Sequence, residues 1–249
     1  MIRVKEIFDF LCERYPLQTA CDFDNAGFLV GDRESKIKKA LVCLDCDITA
    51  VNKAKELGCN LIITHHPVIF GGLKSITEES VVYKLIKEDI SVISMHTNLD
   101  IAADGVTVRL CEALGLKNIK PFIALDGFAL RSATADNLTP EDFAALIKEK
   151  LSFSVRFVKG SRNINKVLLC SGSGGEFLRD AIDNGFDALV TADVKHNVFI
   201  DAVNSDISVF DGGHYATENI IVKPLAKLLQ NEFSDIEFIP YSPDLIKSI

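Results

Sequence analysis

Apolar positions along the chain follow two rhythms. Across Val4 to Tyr15, Ile7, Phe8, Leu11 and Cys12 share one side of a 3.6-residue period, which predicts an amphipathic helix. Leu61–Thr64 is instead apolar without a break until its threonine, the mark of a short strand buried on both faces. Ala40–Leu44 and Ser91–Met95 read as further strands. Helical patterns lie between them at Thr49–Leu57, Glu78–Lys87 and Val106–Leu114, with Gly58 and Gly115 as terminal caps. Later, Thr139 and Pro140 form a helix start that runs to about Leu151. Strands are expected at Phe153–Val158, Val167–Cys170, Ala188–Thr191 and Ile207–Phe210. A helix is expected over Phe177–Asn184, and another after "DGGHYATE", interrupted or restarted at Pro224. Strands alternating with helices predict an α/β fold with mostly parallel pairing.

The two halves repeat. Sliding the chain by 127 positions sets Lys39 on Lys166, Leu41 on Leu168, Cys43 on Cys170, Ala54 on Ala181, Gly58 on Gly185 and Thr64 on Thr191. No gap is needed. "ISVISMH" at Ile90–His96 is echoed by "ISVFDGGH" at Ile207–His214. All strand–helix–strand units share some of this pattern, but the matching register favours an internal duplication. The expected halves are 1–125, which the C-terminal segment could complete, and 126–249.

Composition narrows the function classes. With 249 residues, 48% hydrophobic and 25% charged, the chain has the make-up of a globular protein of one large or two ordinary domains. Its net charge of −8 and lack of any basic run argue against a broad nucleic-acid surface. No apolar stretch approaches the ~20 residues of a membrane helix. The first residues carry no signal-peptide pattern, so the expected location is the cytoplasm. Seven cysteines, an odd number scattered through apolar segments, suit reduced thiols rather than a disulfide framework. Cys43 and Cys46 form a solitary C-x-x-C, more readily two packed thiols than a redox or zinc motif.

The histidines carry the chemistry. Two of the five, His65 and His66, end the Leu61–Thr64 strand and precede Pro67. Neighbours on a strand point to opposite faces, and proline ends regular pairing. The two rings are therefore expected to diverge, which suits two metal ions about 3.5–4 Å apart better than one. At the matching place the second half has Ala192 and Asp193. His96 and Asp100 are four apart, as are His214 and Glu218, which puts each pair on one helical face. All of these lie just past strand carboxyl ends, where open α/β sheets bind ligands. Imidazoles with carboxylates and no thiolate suit zinc, iron, manganese or nickel. A lone strand-end histidine is more often a hydrogen-bonded polar residue, so the combination carries this reading. "SGSGGE" lacks the Walker lysine and reads as a phosphate loop or a tight strand-to-helix turn. "CDFDNAGFLVGD", with Asp22, Asp24 and Asp32, lacks a calcium loop's remaining ligands and reads as a solvated or inter-subunit loop.

In "DNAGFLVG", "THHP", "HTNLD", "GSGG", "TAD" and "DGGHYATE", the sequence resembles the Nif-three-like dinuclear-metal family, often labelled GTP cyclohydrolase I type 2. These stretches span nearly the whole chain in family order. The resemblance implies two related α/β domains with a metal site between them, two divalent ions per chain, and a ring-shaped homohexamer. The family's ligands fall on His65, His66, Asp100, His214 and Glu218, and His96 falls beside the centre, as a group that supports the ligands or as a catalytic one. The family's T-G-D/E is here Thr191-Ala192-Asp193, and Asn197 stands where members often carry histidine, with His196 just before it. Two functions suit this ligand set. One is a metal-dependent hydrolase acting on a nucleotide or another small molecule, with opening of the GTP ring and formate release as the family label's suggestion. The other is a non-catalytic metal-binding, storage, delivery or regulatory protein.

Overall fold

The computed structural model describes residues 1–243, 245 and 246. Its first elements in chain order are α1 (Val4–Arg14), β1 (Gly27–Val30), β2 (Lys39–Cys43), α2 (Ile48–Leu57), β3 (Leu61–Thr64), α3 (Val81–Lys87) and β4 (Ser91–Ser94). Next come α4 (Thr97–Asp100), α5 (Val106–Ala113), β5 (Lys117–Ile123), β6 (Ala129–Leu138), α6 (Pro140–Leu151), β7 (Arg156–Val158) and β8 (Ile164–Ser173). The rest are α7 (Leu178–Asp183), β9 (Ala188–Ala192), α8 (His196–Asn204), β10 (Ser208–Asp211), α9 (His214–Glu218), α10 (Val222–Glu232) and β11 (Glu237–Tyr241). The chain divides into two compact units, Met1–Asp100 with Ile221–Pro243, and Ile101–Ile220. The boundary at 125/126 expected from the repeat falls between β5 and β6, which pair with each other inside the second unit.

The first unit holds a five-stranded sheet in the order β1-β4-β3-β2-β11. Its central strands are buried at nearly every position, as parallel strands covered on both faces must be. Leu41, Cys43, Ile62 and Val92 meet Ala50, Val51 and Ala54 of α2 and Val82 and Leu85 of α3 in one core. α2 starts where the Asp47 side chain accepts from Ala50 N and stops at Gly58, whose φ of 70° is the left-handed cap.

The second unit holds a six-stranded sheet, β5-β6-β8-β9-β10-β7. Alternate residues of its strands feed two cores. Val167, Leu169, Val190 and Phe210 pack with Leu110 of α5 and with Phe143 and Ile147 of α6. Leu168, Cys170, Leu189 and Val209 pack with Leu178 and Ala181 of α7 and Ala202 of α8. Helices thus cover both sheet faces, as the period-two alternation requires.

The hydrogen-bond ladders of the two sheets share a register. Ala40 faces Leu61 and Cys43 faces Thr64 between β2 and β3. Val167 faces Ala188 and Leu169 faces Val190 between β8 and β9, the same register 127 residues later. Leu61 faces Ser91 across β3 and β4, as Ala188 faces Ser208 across β9 and β10.

Several expectations change. Pairing is more mixed than mostly parallel: β1–β4, β5–β6, β6–β8 and β7–β10 are antiparallel. β1, β5, β6, β11 and α8 add to the elements expected from sequence. The strand expected at Phe153–Val158 shrinks to β7, and α3 begins only at Val81 because Ser80 caps it. Pro224 sits within the first turn of α10, where its missing N–H has no helical acceptor to lose. No described helix is long and apolar enough to cross a membrane.

Candidate metal centre

In each unit the chemistry-bearing side chains gather past the carboxyl ends of the parallel strands. In the first unit β3 hands the chain to His65 and His66. The ladder persists for these two residues: His65 N donates to Cys43 O at 3.2 Å and His66 N to Leu44 O at 3.0 Å. Thr64 Oγ1 donates to Leu44 O at 2.7 Å and fastens the corner.

The rings do not diverge as strand alternation predicts. The chain bends at His65 and His66 before Pro67, and consecutive side chains converge. Their ring centroids are 5.0 Å apart, with planes tilted by 38°. His96 completes a triangle, 5.2 Å from His65 and 5.6 Å from His66. One ring nitrogen from each of the three lies within 4.8 Å of the other two.

Every one of these rings is held by its Nδ1. His65 Nδ1 lies 2.8 Å from Met95 O. His66 Nδ1 lies 2.7 Å from Asp45 Oδ1 and His96 Nδ1 2.8 Å from Asp24 Oδ1. In the second unit His214 Nδ1 lies 2.7 Å from Asp193 Oδ2. A carbonyl or carboxylate oxygen only accepts, so each Nδ1 is the donor, and Nε2 is the atom each ring presents on its other side. Histidines that bind metal through Nε2 show this pattern, with the outer oxygen fixing the tautomer and raising donor basicity.

The carboxylates are set by short helices. Asp100 ends α4, the single turn in which Asp100 N donates to His96 O at 3.0 Å. Asn98 secures that turn, accepting from His96 N at 3.0 Å and donating to Tyr15 O at 2.8 Å. Asp100 Oδ1 then lies 3.5 Å from His65 Nε2. In the second unit β10 ends at Asp211, whose Oδ1 accepts from Gly213 N at 3.0 Å and shapes the turn into α9. One helical turn later Glu218 Oε2 lies 2.9 Å from His214 Nε2. Two ligands of one ion, with bonds of about 2.1 Å, stand roughly 3.0–3.4 Å apart. Both histidine–carboxylate pairs are near that spacing, so each donor pair fits a divalent ion.

Asp24 belongs to the segment expected to be a solvated or inter-subunit loop, in which Asp22 and Asp32 are exposed and Asp24 is not. Its side chain is closed off from solvent. Besides His96 it accepts from Thr97 N at 3.0 Å and from Thr97 Oγ1. Burial alone would raise its pKa, but the His96 and Thr97 hydrogen bonds outweigh it and hold the carboxyl at about 2.

"SGSGG" proves to be packing for Glu218. Gly172 lies within β8 and has a φ of 63°. A Cβ there would stand 1.9 Å from Glu218 Oε1 and 3.4 Å from His214 Nε2. Its N–H is committed to Thr217 Oγ1 at 3.1 Å, and its carbonyl accepts from Thr191 Oγ1 at 2.9 Å. This is the tight-turn reading, with the Gly172 N–H turned to the protein rather than to a phosphate.

Of the residues singled out in sequence, His65, His66, His96 and Asp100 come together in the first unit, and His214 and Glu218 in the second. His196 begins α8 and is exposed. Cys43 and Cys46 are buried, and burial pushes the Cys46 thiol up to about 12, which keeps it protonated and unreactive. Asp24, Asp45 and Gly172 were missed as site residues. Asp193, noted only as a motif departure, orients His214. Nothing in their local sequence announces these roles, since Asp24 meets a ring 72 residues away.

A family described as Duf34/NIF3 (NGG1p interacting factor 3) matches residues 2–244. A Clostridium perfringens protein named GTP cyclohydrolase 1 type 2 homolog is 31% identical over 250 residues, 96% of this chain and 95% of that one. A Clostridium acetobutylicum protein of the same name is 30% identical over 242 residues, covering 92% and 90% of the two. The crystal structure of a hypothetical protein from Staphylococcus aureus superposes with a TM-score of 0.90 at 32% identity, over 99% of each chain.

Proposed function

The chain belongs to the Duf34/NIF3 family, and from that premise we propose that it is a dinuclear, divalent-metal-dependent hydrolase. The observation that carries this reading is the common pose of the histidines. His65, His66, His96 and His214 all have Nδ1 on an oxygen acceptor, which leaves Nε2 as the metal-facing atom of each ring. Asp100 and Glu218 add a carboxylate to the histidines of each unit. We assign His65, His66, Asp100, His214 and Glu218 as the ligands of two ions per chain. Zinc, iron, manganese and nickel all suit nitrogen and oxygen donors.

Bound divalent ions supply Lewis acidity and bring the pKa of water towards neutrality. His96 is the group we assign to proton transfer. Asp24 accepts from its Nδ1 and fixes its tautomer, while 16% of the His96 side chain stays open to solvent. The name shared by the relatives makes GTP the first substrate to try, with ring opening and formate as the product to assay. The same premise supports a homohexamer in the cytoplasm. Exposed Ile123, at the end of edge strand β5, and Leu125 just beyond it are apolar surface for such an assembly. The equal ladder registers support an internal duplication.

The test is direct. Metal analysis of the purified protein should find close to two ions per chain. Metal-loaded protein should release formate from GTP faster than a His65→Ala, Glu218→Ala double variant. One ion per chain would refute the dinuclear assignment, and formate release equal to that of the variant would refute the cyclohydrolase assignment.

A further inference from the structure

His66 leads into a stretch with no regular structure that reaches α3 only at Val81. Its beginning is anchored. Val68 and Ile69 pack against the core of the first unit, and Asn25 Nδ2 donates to Ile69 O at 2.7 Å. The next residue, Phe70, is 63% exposed. Its ring nevertheless sits beside the histidine triangle, with its centroid 6.1 Å from that of His96 and the planes at 85°. Immediately afterwards Gly71, with a φ of 84°, turns the chain away. A phenyl ring is thus presented to solvent from a pinned backbone, at the edge of the donor cluster. A large aromatic left open next to convergent polar groups is how a ligand site combines an apolar wall with a few orienting contacts. Leu73 and Ile76, also half exposed, lie beyond the glycine turn.

We propose that Phe70 is the stacking wall of the substrate site, and that the substrate carries a planar heteroaromatic ring. This rests on the hydrolase reading above and deepens it. A flat ring laid on Phe70 is held in one plane, which leaves its edge as the part that meets His96. An aliphatic or branched substrate would gain little from such a wall, since face-to-face contact needs two flat partners.

The chain contains no tryptophan, so Phe70→Trp places a single indole reporter at the site. The zinc-loaded variant is titrated with GTP, and with tripolyphosphate as a ringless control. Stacking predicts saturable quenching by GTP and none by tripolyphosphate. A Phe70→Leu variant, checked for unchanged metal content, should bind GTP roughly 5- to 100-fold more weakly in equilibrium dialysis, with Phe70→Tyr close to wild type. The assignment is overturned if GTP, ATP and UTP all leave the indole emission unchanged while metal content is intact. It is equally overturned if the indole of the ligand-free protein is already shielded from acrylamide, because another copy of the chain then covers Phe70. Absence of bound metal in the wild type would take down the hydrolase reading and this one together, so the two failures are told apart by metal analysis.

Discussion

Replacing Gly172 by alanine should damage metal binding far more than it damages the fold. Two costs are involved, and the structure separates them. The backbone cost comes from a φ of 63°, where an alanine Cβ crowds the neighbouring carbonyl by about 1–2 kcal/mol. Gly185, in the same unit, has a φ of 64° with nothing within 4 Å of its would-be Cβ. Gly185→Ala therefore bears the backbone cost alone and should lower Tm by about 2–8 °C. Gly172→Ala adds a Cβ at 1.9 Å from Glu218 Oε1, so the carboxylate must retreat by about 1.5 Å to restore ordinary contact. Displacements of that size at a functional group commonly cost about 100-fold. Calorimetric titration of metal-free protein with zinc should show the Gly172→Ala affinity reduced at least tenfold against Gly185→Ala, with comparable Tm values in the metal-free state. Equal zinc affinity and stoichiometry in the two variants would refute Glu218 as a ligand held by that glycine.

Other consequences can be checked with simple variants. Asp24 has its pKa lowered to about 2, so its contribution is complete above the unfolded value near 4 and lost as the pH falls towards 2. Urea unfolding should show wild type losing about 2 kcal/mol more than Asp24→Asn between pH 4 and pH 2, and parallel losses would contradict the assignment. Asp45→Asn and Asp193→Asn should each weaken zinc binding about 10- to 100-fold. Both carboxylates are more than half exposed, so metal-free stability should move by less than about 1 kcal/mol. Iodoacetamide at pH 8 should label Cys12 and Cys21, which are partly exposed, and leave the buried Cys43, Cys46, Cys59, Cys111 and Cys170 untouched in the native protein. Mass mapping of a label on Cys46 or Cys111, both raised to about 12, would show an opening that the native structure does not contain.

The parts of the fold legible in sequence are those governed by burial. β3, β9 and the helices beside them announce themselves because a strand covered on both faces must be continuously apolar. β5, "KNIKPFI", is mostly exposed and contains a proline, so neither periodicity nor propensity marks it. β6 carries Asp136 and Asn137 because an antiparallel strand can leave part of itself in water, and its Arg131 is buried on backbone carbonyls. The site was legible as a set of donor types at strand ends and illegible as geometry. Whether His65 and His66 diverge depends on a local bend, and strand alternation gave the wrong answer. The spacing of His96 and Asp100 was real helical spacing, yet Asp100 reaches towards His65, because α4 is one turn long and begins after His96.

The acceptors that aim the histidines have a consequence for how metal enters and leaves. Met95, Asp45 and Asp24 belong to the same unit as the rings they hold, and Asp193 to the same unit as His214. Each of these rings therefore takes its tautomer and direction from an acceptor in its own unit. Metal binding then finds donors already posed rather than folding a site around the ion. Metal removal, by the same reasoning, needs no unfolding and leaves each imidazole in place for the next ion.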